Sequence, residues 1–283
     1  MSGIQEHRGV LLELLQELDR ICKKHDIHYV LFAGTALGAV RHHGFIPWDD
    51  DLDVAMLRED YDRFMQVAPA ELFRQYFLQI EFSEHWPMHF SKLRKNNTTC
   101  LEKYHPKDHQ IHQGIYIDIF PLDNVAGNKL LRKLQFVCSK VVLAKTLFRR
   151  GYETDSWIKK LFIFGCRLLP LRPFYTIVKN KKAMNSQYVH SFLGGSSSYR
   201  KSVYPRHWLA ETMLVEFEGK QFPISAHYDA LLTTIYGDYM KLPDENERKI
   251  KTHALLVDVN KNYTEYAGYR DGMKFDVYTR SIR

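Results

Sequence analysis

The sequence predicts an α/β (α+β) fold in which a mixed β-sheet is flanked by helices. In the first half of the chain, short apolar runs alternate with segments whose apolar residues recur every three or four positions. These two patterns are typical of buried strands and of amphipathic helices. The chain has 283 residues, of which 45% are hydrophobic, so it can bury a substantial core in one large domain or two small ones.

The elements around this sheet can be predicted in chain order. Leucines and Cys22 follow helical spacing near the N-terminus, so an amphipathic helix precedes the first strand. The predicted elements of the first quarter are a helix at 7–26, a strand at 28–32, a helix at 35–42, a strand at 52–56 and a helix at 57–67.

The middle of the chain adds more strands and a polar loop. Further strands are predicted at 76–82, 88–94 and 115–120, the last being apolar enough to be central. Residues 98–113 are polar and predict a mobile loop. Three histidines in it, His105, His109 and His112, lie near a proline and far from any cysteine, which disfavours zinc. The polar tail after Asp244 is predicted to be partly mobile.

The positive charge of the chain is concentrated in one segment. The formal net charge is +7, but residues 128–182 contain fourteen Lys and Arg side chains against Glu153 and Asp155. The local net charge is therefore +12, and +7 minus +12 leaves −5 for the rest. This segment is predicted to be helical up to residue 188, with breaks at 151 and 170–173.

Within the basic segment, residues 157–172 combine aromatic, aliphatic and basic side chains. That mixture is typical of a helix that lies in a membrane interface, where anionic lipids attract its positive charge. Helices that only pack against the sheet are the alternative. The charge excess favours contact with the membrane surface.

The cysteines and the N-terminus indicate a cytoplasmic location. Cys22, Cys100, Cys138 and Cys166 are widely spaced, which argues against a disulfide framework or a structural zinc site. The N-terminus lacks the pattern of a signal peptide, and no run of eighteen uncharged apolar residues occurs. We therefore expect a protein that is neither exported nor membrane-spanning.

A cluster of carboxylates follows a Pro-Trp pair. Asp49, Asp50, Asp51 and Asp53 fall within five positions. On an extended segment, Asp49, Asp51 and Asp53 point to one face and Asp50 to the other. Three like charges on one face repel each other unless a cation lies among them. Oxygen ligands favour Mg²⁺ or Mn²⁺ over zinc.

A small-residue turn precedes this cluster. Gly34 and Thr35 follow the strand predicted at 28–32, so backbone N–H groups at the start of the next helix could face a phosphate without hindrance from a Cβ atom.

One aspartate interrupts the central strand. Asp118 lies in the middle of the apolar run at 115–120. A buried, unpaired carboxylate would cost several kcal/mol or take up a proton. Asp118 is therefore expected to bind a cation or to accept a proton during a reaction. Asp123, in a Pro-Leu-Asp-Asn context, is better explained as the cap of a turn.

Basic side chains on the strand predicted at 88–94 are candidates for substrate binding. Lys92, Arg94 and Lys95 lie where the two strand faces differ in polarity. From the edge of the sheet, Lys92 or Arg94 could reach a nucleotide phosphate. The alternative is a solvated face, which is what charge runs usually form.

Several motifs together resemble a known family. The run at 34–53 (GTALGAVRHHGFIPWDDDLD) is similar to the LicD family of bacterial phosphocholine transferases, whose animal relatives include fukutin-related protein. Four further blocks match in family order, at 92–98 (KLRKNNT), 114–123 (GIYIDIFPLD), 217–219 (FEG) and 236–243 (YGDYMKLP). The family in turn resembles the nucleotidyltransferase superfamily.

The resemblance implies a nucleotidyltransferase-like core with a helical basic insertion. It also implies a catalytic site in which Asp51, Asp53 and Asp118 bind divalent metal, Mg²⁺ or Mn²⁺, with Asp118 as ligand or base. Asp49 would be an extra ligand or support the others. Gly34 and Thr35 would hold a phosphate.

The same resemblance implies the reaction. The donor would be a CDP-alcohol, most plausibly CDP-choline, and a sugar hydroxyl of a glycan or lipid-linked oligosaccharide acceptor would attack the choline-bearing phosphorus and release CMP. Arg41 would compensate charge on the departing nucleotide. A choline head needs aromatic walls, for which Trp48, Phe45, Trp86 and Tyr116 are candidates.

Alternatives remain within and outside this reading. CDP-ribitol or CDP-glycerol could replace CDP-choline as donor. The pI near 9.0 also suggests a nucleic-acid-binding protein, but the basic segment has no recognition motif and is interleaved with long aliphatic side chains. We therefore expect no nucleic-acid partner.

The predicted organisation has three parts. Residues 1–127 would form the nucleotidyltransferase-like catalytic core, and residues 128–192 the basic helical segment. Residues 193–283 would complete the core and the acceptor side. The acceptor would be a precursor of teichoic acid or lipopolysaccharide, modified at the inner face of the cytoplasmic membrane by a peripheral enzyme.

Overall fold

The computed structural model describes residues 2–83, 86–102, 111–180, 186–194, 198–244, 248 and 254–266. The helices are α1 (Ser2–Lys24), α2 (Ala33–His42), α3 (Arg58–Glu71), α4 (Lys129–Arg149), α5 (Trp157–Cys166), α6 (Leu171–Lys179), α7 (His207–Ala210) and α8 (Tyr228–Tyr236). The strands are β1 (Val30–Leu31), β2 (Asp53–Leu57), β3 (Tyr76–Gln79), β4 (Ser91–Lys95), β5 (Thr99–Glu102), β6 (Tyr116–Asn124), β7 (Tyr188–His190), β8 (Val203–Pro205), β9 (Thr212–Phe217), β10 (Lys220–Ser225) and β11 (Ala254–Asp258).

The main sheet is mixed, which confirms the predicted α/β fold class. Within the described residues it has seven strands, with β1, β2, β6, β4 and β3 in that order and with β7 and β8 attached beyond β6. Strands β2 and β6 run parallel, whereas β4 is antiparallel to both β6 and β3. Strand β6 is central, as its apolar sequence predicted.

The two faces of this sheet bury different clusters. Val54, Met56, Ile117 and Ile119 belong to a large core that includes the leucines of α1. The alternate residues of β2, such as Ala55, belong to a second cluster with residues of β7, β8 and α8. Because side chains alternate along a strand, Asp53 and Asp118 belong to the face of this second cluster.

Two strands lie where the sequence predicted loop and tail. Strand β5 falls within the predicted polar loop at 98–113, and it pairs with β11, which lies in the tail predicted to be mobile. The pairing partners are about 150 residues apart, and each strand is short, so local patterning did not reveal them. His112 stacks on Phe77, whereas His105 and His109 lie outside the described residues.

The basic segment contains three helices, as predicted, and then a short strand. Helix α4 packs against α5 and α6 through small clusters that include Cys138, Val142 and Cys166. Many of the other large apolar side chains of this segment are exposed, among them Leu130, Val137, Trp157, Ile158, Leu161, Phe164 and Leu168. Where helix was predicted to continue to residue 188, β7 begins instead.

Candidate active site

Two carboxylates that were predicted from separate motifs are neighbours in the sheet. Asp53 begins β2, Asp118 lies within β6, and the two residues are register partners in the parallel pair. Neighbouring strands are about 4.8 Å apart. The backbone N–H of Asp118 donates to the carbonyl of Leu52 at 2.9 Å. This pairing fixes where both side chains leave the sheet.

The carboxylates around Asp53 repel one another. Burial raises the pKa of Asp53 well above its usual range, and the charges of Asp51, Asp118 and Asp49 raise it further, in that order. Burial also raises the pKa of Asp118, against the opposing charge of Lys92. All four predicted acids therefore share one electrostatic environment that would be relieved by a cation.

The donor atoms fit a hard divalent cation that also takes ligands from a substrate. Among the residues the structure describes, no three His, Cys, Asp or Glu side chains converge tightly enough to form a complete metal site. Mg²⁺ usually takes one or two carboxylates together with phosphate oxygens and water, which the Asp53–Asp118 pair can provide. Asp118 Oδ1 is buried, and the ammonium of Lys92 lies 3.2 Å from it.

Lys92 lies beside Asp118 but is almost completely enclosed. Its Nζ is 3.2 Å from Asp118 Oδ1 and 3.2 Å from Glu102 Oε1. The same atom is 3.1 Å from the centre of the Tyr116 ring, and the residue is 1% exposed. Burial lowers the pKa of Lys92. The lysine is therefore placed to balance the charge of Asp118.

Arg94 is not brought to the site, and the expected sheet edge is not there. Strand β4, which carries Lys92 and Arg94, lies between β6 and β3 rather than at an edge. Arg94 is fully buried and donates to Gln79 Oε1 and to the carbonyl of Gly114, each at 2.7 Å. These internal partners give it a structural role, so the prediction that it reaches a phosphate from the sheet edge is wrong.

The start of α2 adjoins the carboxylates. Thr35 lies in its first turn, and its hydroxyl accepts a hydrogen bond of 2.8 Å from the backbone N–H of Asp53. A Cβ on Gly34 would come within 3.0 Å of Asp49 Oδ2, so that carboxylate lies against the glycine. Ala33, at the head of the helix, has φ of +46°. The structure thus brings Gly34 and Thr35 to the acids.

The loop that carries the acids is held from two sides. On one side Arg8 of α1 donates to the carbonyl of Asp49 at 2.9 Å. On the other, the carboxylate of Glu218 accepts from the N–H of Phe45 at 3.0 Å, and a Cβ on Gly44 would lie 2.2 Å from Glu218 Oε1. The loop at Gly44 therefore lies close against the Glu218 side chain of the β9–β10 turn.

Asp50 lies next to α1, and the strand alternation expected from Asp49 to Asp53 does not apply, because β2 begins only at Asp53. Asp50 is 5% exposed, and its charge acts on His7 of α1. Burial lowers the pKa of His7 to about 4, with Asp50 opposing the shift.

Arg41 and Trp48 lie on the side of the C-terminal block. Arg41 Nη1 donates to the carbonyl of Tyr239 at 2.7 Å. Trp48 is 6.0 Å from the ring of His42 and 6.0 Å from the guanidinium carbon of Arg248. Burial and then Arg248 lower the pKa of Arg41. These side chains form a basic and aromatic cluster on that side of the fold.

Tyr236 is a site residue whose chemistry the sequence did not reveal. Burial raises its pKa, and the charges of Asp53, Asp49 and Asp51 raise it further, so its hydroxyl lies close to the acids. Its position in the 236–243 block was the one available signal, since residue type alone does not distinguish it from the other tyrosines.

A cavity of about 360 Å³ opens beside Asp53 and Tyr236. It does not include the aromatic residues that were expected to surround a choline head. Phe45, Trp86 and Tyr116 are all buried: Phe45 packs on Phe217, Trp86 on Phe90, and Tyr116 covers Lys92. Trp48 also lies outside the cavity lining.

A buried ion network supports the far end of the cavity. Asp123 had been predicted to cap a turn, but it lies within β6, which extends to Asn124. Arg58 donates to both its oxygens, at 2.6 and 3.2 Å, and also to Glu81 at 3.0 Å. Burial raises the pKa of Asp123 to about 6 against the effect of Arg58. The network joins α3 to β6.

Comparisons with known proteins agree with the motifs. A model of the "LicD/FKTN/FKRP, nucleotidyltransferase domain" family matches residues 26–140. The lipopolysaccharide cholinephosphotransferase LicD of Haemophilus influenzae is 30% identical over 258 residues, which covers 87% of this chain and 94% of that protein. An uncharacterised protein of Rickettsia prowazekii is 34% identical over 178 residues, or 60% of this chain and 63% of the relative.

Proposed function

Because the chain belongs to the LicD family of phosphocholine transferases, we propose that it transfers phosphocholine from CDP-choline to a sugar hydroxyl of a cell-surface glycan precursor and releases CMP. The observation that carries this proposal is the register pairing of Asp53 with Asp118 beside the start of α2. The relative from Haemophilus is named for lipopolysaccharide, which favours an acceptor of that type over teichoic acid.

In the proposed site, Mg²⁺ or Mn²⁺ would be held by Asp51 and Asp53, with Asp118 as a further ligand or as the base and Asp49 as an additional ligand or support. The bound cation would neutralise negative charge on the phosphate under attack. The proposal is supported by the mutual repulsion of these acids and by their oxygen-only donor set.

The chain's own residues would handle the proton and the leaving group. The hydroxyl oxygen of the acceptor forms a bond to the choline-bearing phosphorus, and its proton passes to the carboxylate of Asp118. The bond from that phosphorus to the oxygen shared with CMP then breaks. Negative charge on the departing phosphate is stabilised by the positive end of α2 at Gly34 and Thr35 and by Arg41. Burial, which raises the pKa of Asp118, favours its role as proton acceptor.

We place the enzyme at the inner surface of the cytoplasmic membrane, with a lipid-linked acceptor. The support is the exposed apolar surface of α4 and α5, on which Trp157 is 71% and Leu161 is 64% exposed. Fourteen basic residues and two acidic ones lie in the surrounding segment, which suits anionic lipid. Within the described residues no single helix is long and apolar enough to cross a membrane. Helices α5 and α6, which are bent by 100° relative to each other, have sufficient length and apolar composition when taken together.

CDP-ribitol and CDP-glycerol are the competing donors, and an assay of CMP release separates them. Each CDP-alcohol is incubated with the protein, Mg²⁺ and a glycan acceptor, with and without EDTA. We expect CMP and phosphocholine-modified acceptor from CDP-choline, and none with EDTA. Faster release of CMP from a polyol donor would replace choline in the proposal. Release from none of the donors would contradict the transferase assignment for this site.

A nucleic-acid-binding function is the remaining alternative. It is weakened by the exposed aliphatic side chains that interrupt the basic residues of the segment, such as Leu130, Ile158 and Leu168, because a nucleic-acid groove presents a continuous basic track. Salt-sensitive RNA or DNA binding that survives Asp51→Ala, combined with no turnover of any CDP-alcohol, would favour this alternative.

A further inference from the structure

The cavity beside Asp53 is lined by aromatic rings that come from separate parts of the chain. Phe32 precedes α2, Phe120 lies in β6, Phe192 follows β7, Tyr204 lies in β8, and Tyr236 ends α8. Phe32 and Tyr204 meet edge to face at 6.3 Å. Tyr236 is 43% exposed, so it marks the open side. The volume of about 360 Å³ suits a small ligand group.

Several polar residues in the same wall are hydrogen-bonded within the protein. His190 Nε2 lies 3.0 Å from the carbonyl of Val178, and its Nδ1 accepts from the N–H of Phe192 at 3.3 Å. Burial lowers the pKa of His190 to about 3, so the ring is neutral. Its flat face stacks on Phe192 with 3.9 Å between centroids.

Tyr204 and Asp123 are likewise engaged. The Tyr204 hydroxyl donates to the carbonyl of Lys201 at 2.8 Å and lies 3.1 Å from Ser191 Oγ. Both oxygens of Asp123 accept from Arg58. A polyol entering this cavity would find few groups to replace the hydrogen bonds that it makes with water, which is costly. His89 Nδ1, which has no hydrogen-bond partner among the described residues, and the side chains of Lys201 and Tyr236 are the wall groups that could serve a hydroxyl.

The charged side chains in the cavity wall are of both signs, since Asp53 and the exposed Lys201 both line it. The selection of a cation must therefore come from the aromatic rings. Aromatic faces attract cations, and most strongly those that carry no hydrogen-bonding protons and are easily desolvated. A wall of aromatic rings, in which several polar groups are already hydrogen-bonded, matches a quaternary ammonium group.

We propose that this cavity, walled by Phe32, Phe120, Phe192, Tyr204 and Tyr236, binds the trimethylammonium head of the donor and thereby selects choline over polyol esters. This inference rests on the proposed function, because it places the phosphorus that carries choline beside Asp53. It also assigns the head-group walls to aromatic residues other than the four expected from the sequence.

The test compares CDP-choline with the CDP ester of 3,3-dimethylbutanol, in which a carbon atom replaces the ammonium nitrogen and removes only the charge. Binding of both is measured by calorimetry with Mg²⁺ present. The wild-type protein should bind CDP-choline at least about tenfold more tightly than the uncharged ester. Equal affinities would overturn the ammonium pocket while leaving the CDP-ester donor intact. Binding of neither ester would overturn both this inference and the proposed donor.

Variants then locate the pocket. Phe120→Leu removes an aromatic face and should weaken CDP-choline binding about fivefold, and affect the uncharged ester less than twofold. Phe77→Leu, in a half-exposed ring on β3 outside the cavity, is the matched control and should change neither. Tyr236→Leu should act like Phe120→Leu, whereas Tyr236→Phe keeps the ring and should bind CDP-choline normally. Unchanged CDP-choline affinity in both leucine variants would place the head group elsewhere.

Discussion

The carboxylate site and the basic helical segment use charge in opposite ways. At the site, Asp53, Asp118 and Lys92 are enclosed by strands from distant parts of the chain, and their charges act on one another through the interior. On α4 and α5, apolar side chains face outward among basic residues and few acids. The buried carboxylate site is therefore suited to chemistry, whereas the exposed surface of α4 and α5 is suited to docking.

The two regions also differ in what a substitution should disturb. Changes at the carboxylates should alter turnover or folding, because each group is buried with a specific neighbour. Changes on the exposed helices should leave both intact and alter only contact with another surface. The regions meet where Arg150, next to the end of α4, lies 3.5 Å from Glu102.

The largest expected effect is at the paired carboxylates. Asp53→Asn or Asp118→Asn should lower kcat by about 10³-fold or more, equivalent to about 4 kcal/mol in the barrier. Asp53→Asn should leave the folded state as stable as before or more so, since it removes a charge repelled by three neighbours, whereas Asp118→Asn removes the partner of the buried Lys92 and should lower stability. CMP release and urea unfolding measure the two quantities.

Asp26→Asn is the matched control for this substitution. Asp26 is exposed and has φ of +51°, a conformation that asparagine adopts equally well, so activity should be unchanged. If an Asp53 or Asp118 variant keeps more than about a tenth of the activity, a loss of only 1.4 kcal/mol, that residue does not belong to the catalytic site.

The next effect is on the buried lysine. Lys92→Met leaves Asp118 and Glu102 without their shared cation and should destabilise the fold by about 3–5 kcal/mol. Since Lys92 lowers the pKa of Asp118, any remaining activity should show an acidic limb shifted to higher pH by about one unit or more. Lys95→Met, which removes a partly exposed ion pair with Glu13, should cost less than about 1 kcal/mol. An unshifted pH profile would show that Asp118 does not set that limb.

Buried histidines near the sheet should make the fold sensitive to acid. Burial lowers the pKa of His89 to about 4 and of His190 to about 3, below the ordinary value near 6.5. Their neutral forms are therefore fully accommodated above pH 6.5, and stability is lost as pH falls from there towards 4. Each histidine should contribute up to about 3 kcal/mol of this loss by pH 4.

Urea unfolding at several pH values measures this loss. Asp123, whose pKa burial raises to about 6, acts in the opposite direction between about pH 4 and 6, so the observed fall is a net effect. His190→Asn removes one titrating group and should make the fall with decreasing pH shallower. An equally steep fall in that variant would mean that His190 does not titrate in this range.

The smallest expected effect on the enzyme itself is on the exposed helical surface. Replacing Trp157, Leu161 and Phe164 together by serine should weaken binding to anionic vesicles about tenfold and leave turnover of a short, water-soluble acceptor within twofold. Vesicle co-sedimentation and CMP release are the measurements. Met213→Ser with Leu214→Ser, on the exposed part of β9, is the control. It should change neither vesicle binding nor turnover. If the triple variant on α5 and the double variant on β9 bind vesicles equally well, the membrane contact lies on another surface.

The sequence predicted those parts of the site that depend on local pattern. An aspartate in an apolar strand is conspicuous, and the parallel register of β2 and β6 places Asp118 next to Asp53 as expected. These features can be predicted from the local pattern of apolar and polar residues alone.

Features that depend on distant partners could not be predicted in this way. The burial of Arg94 follows from Gln79 and Gly114, which approach it only in the folded chain. Strand β5 acquires its partner from β11, and five separated segments supply the cavity rings. With 13% aromatic residues in the chain, composition alone does not identify which of them face a ligand.

The most direct test of the central claim is a crystal structure with CDP-choline and Mn²⁺, in which anomalous scattering locates the metal. The account predicts a metal peak at about 2.0–2.4 Å from carboxylate oxygens of Asp53 and Asp118 and from a donor phosphate oxygen. A donor whose phosphates lie more than about 10 Å from both carboxylates, far outside metal–oxygen bonding range, would contradict it.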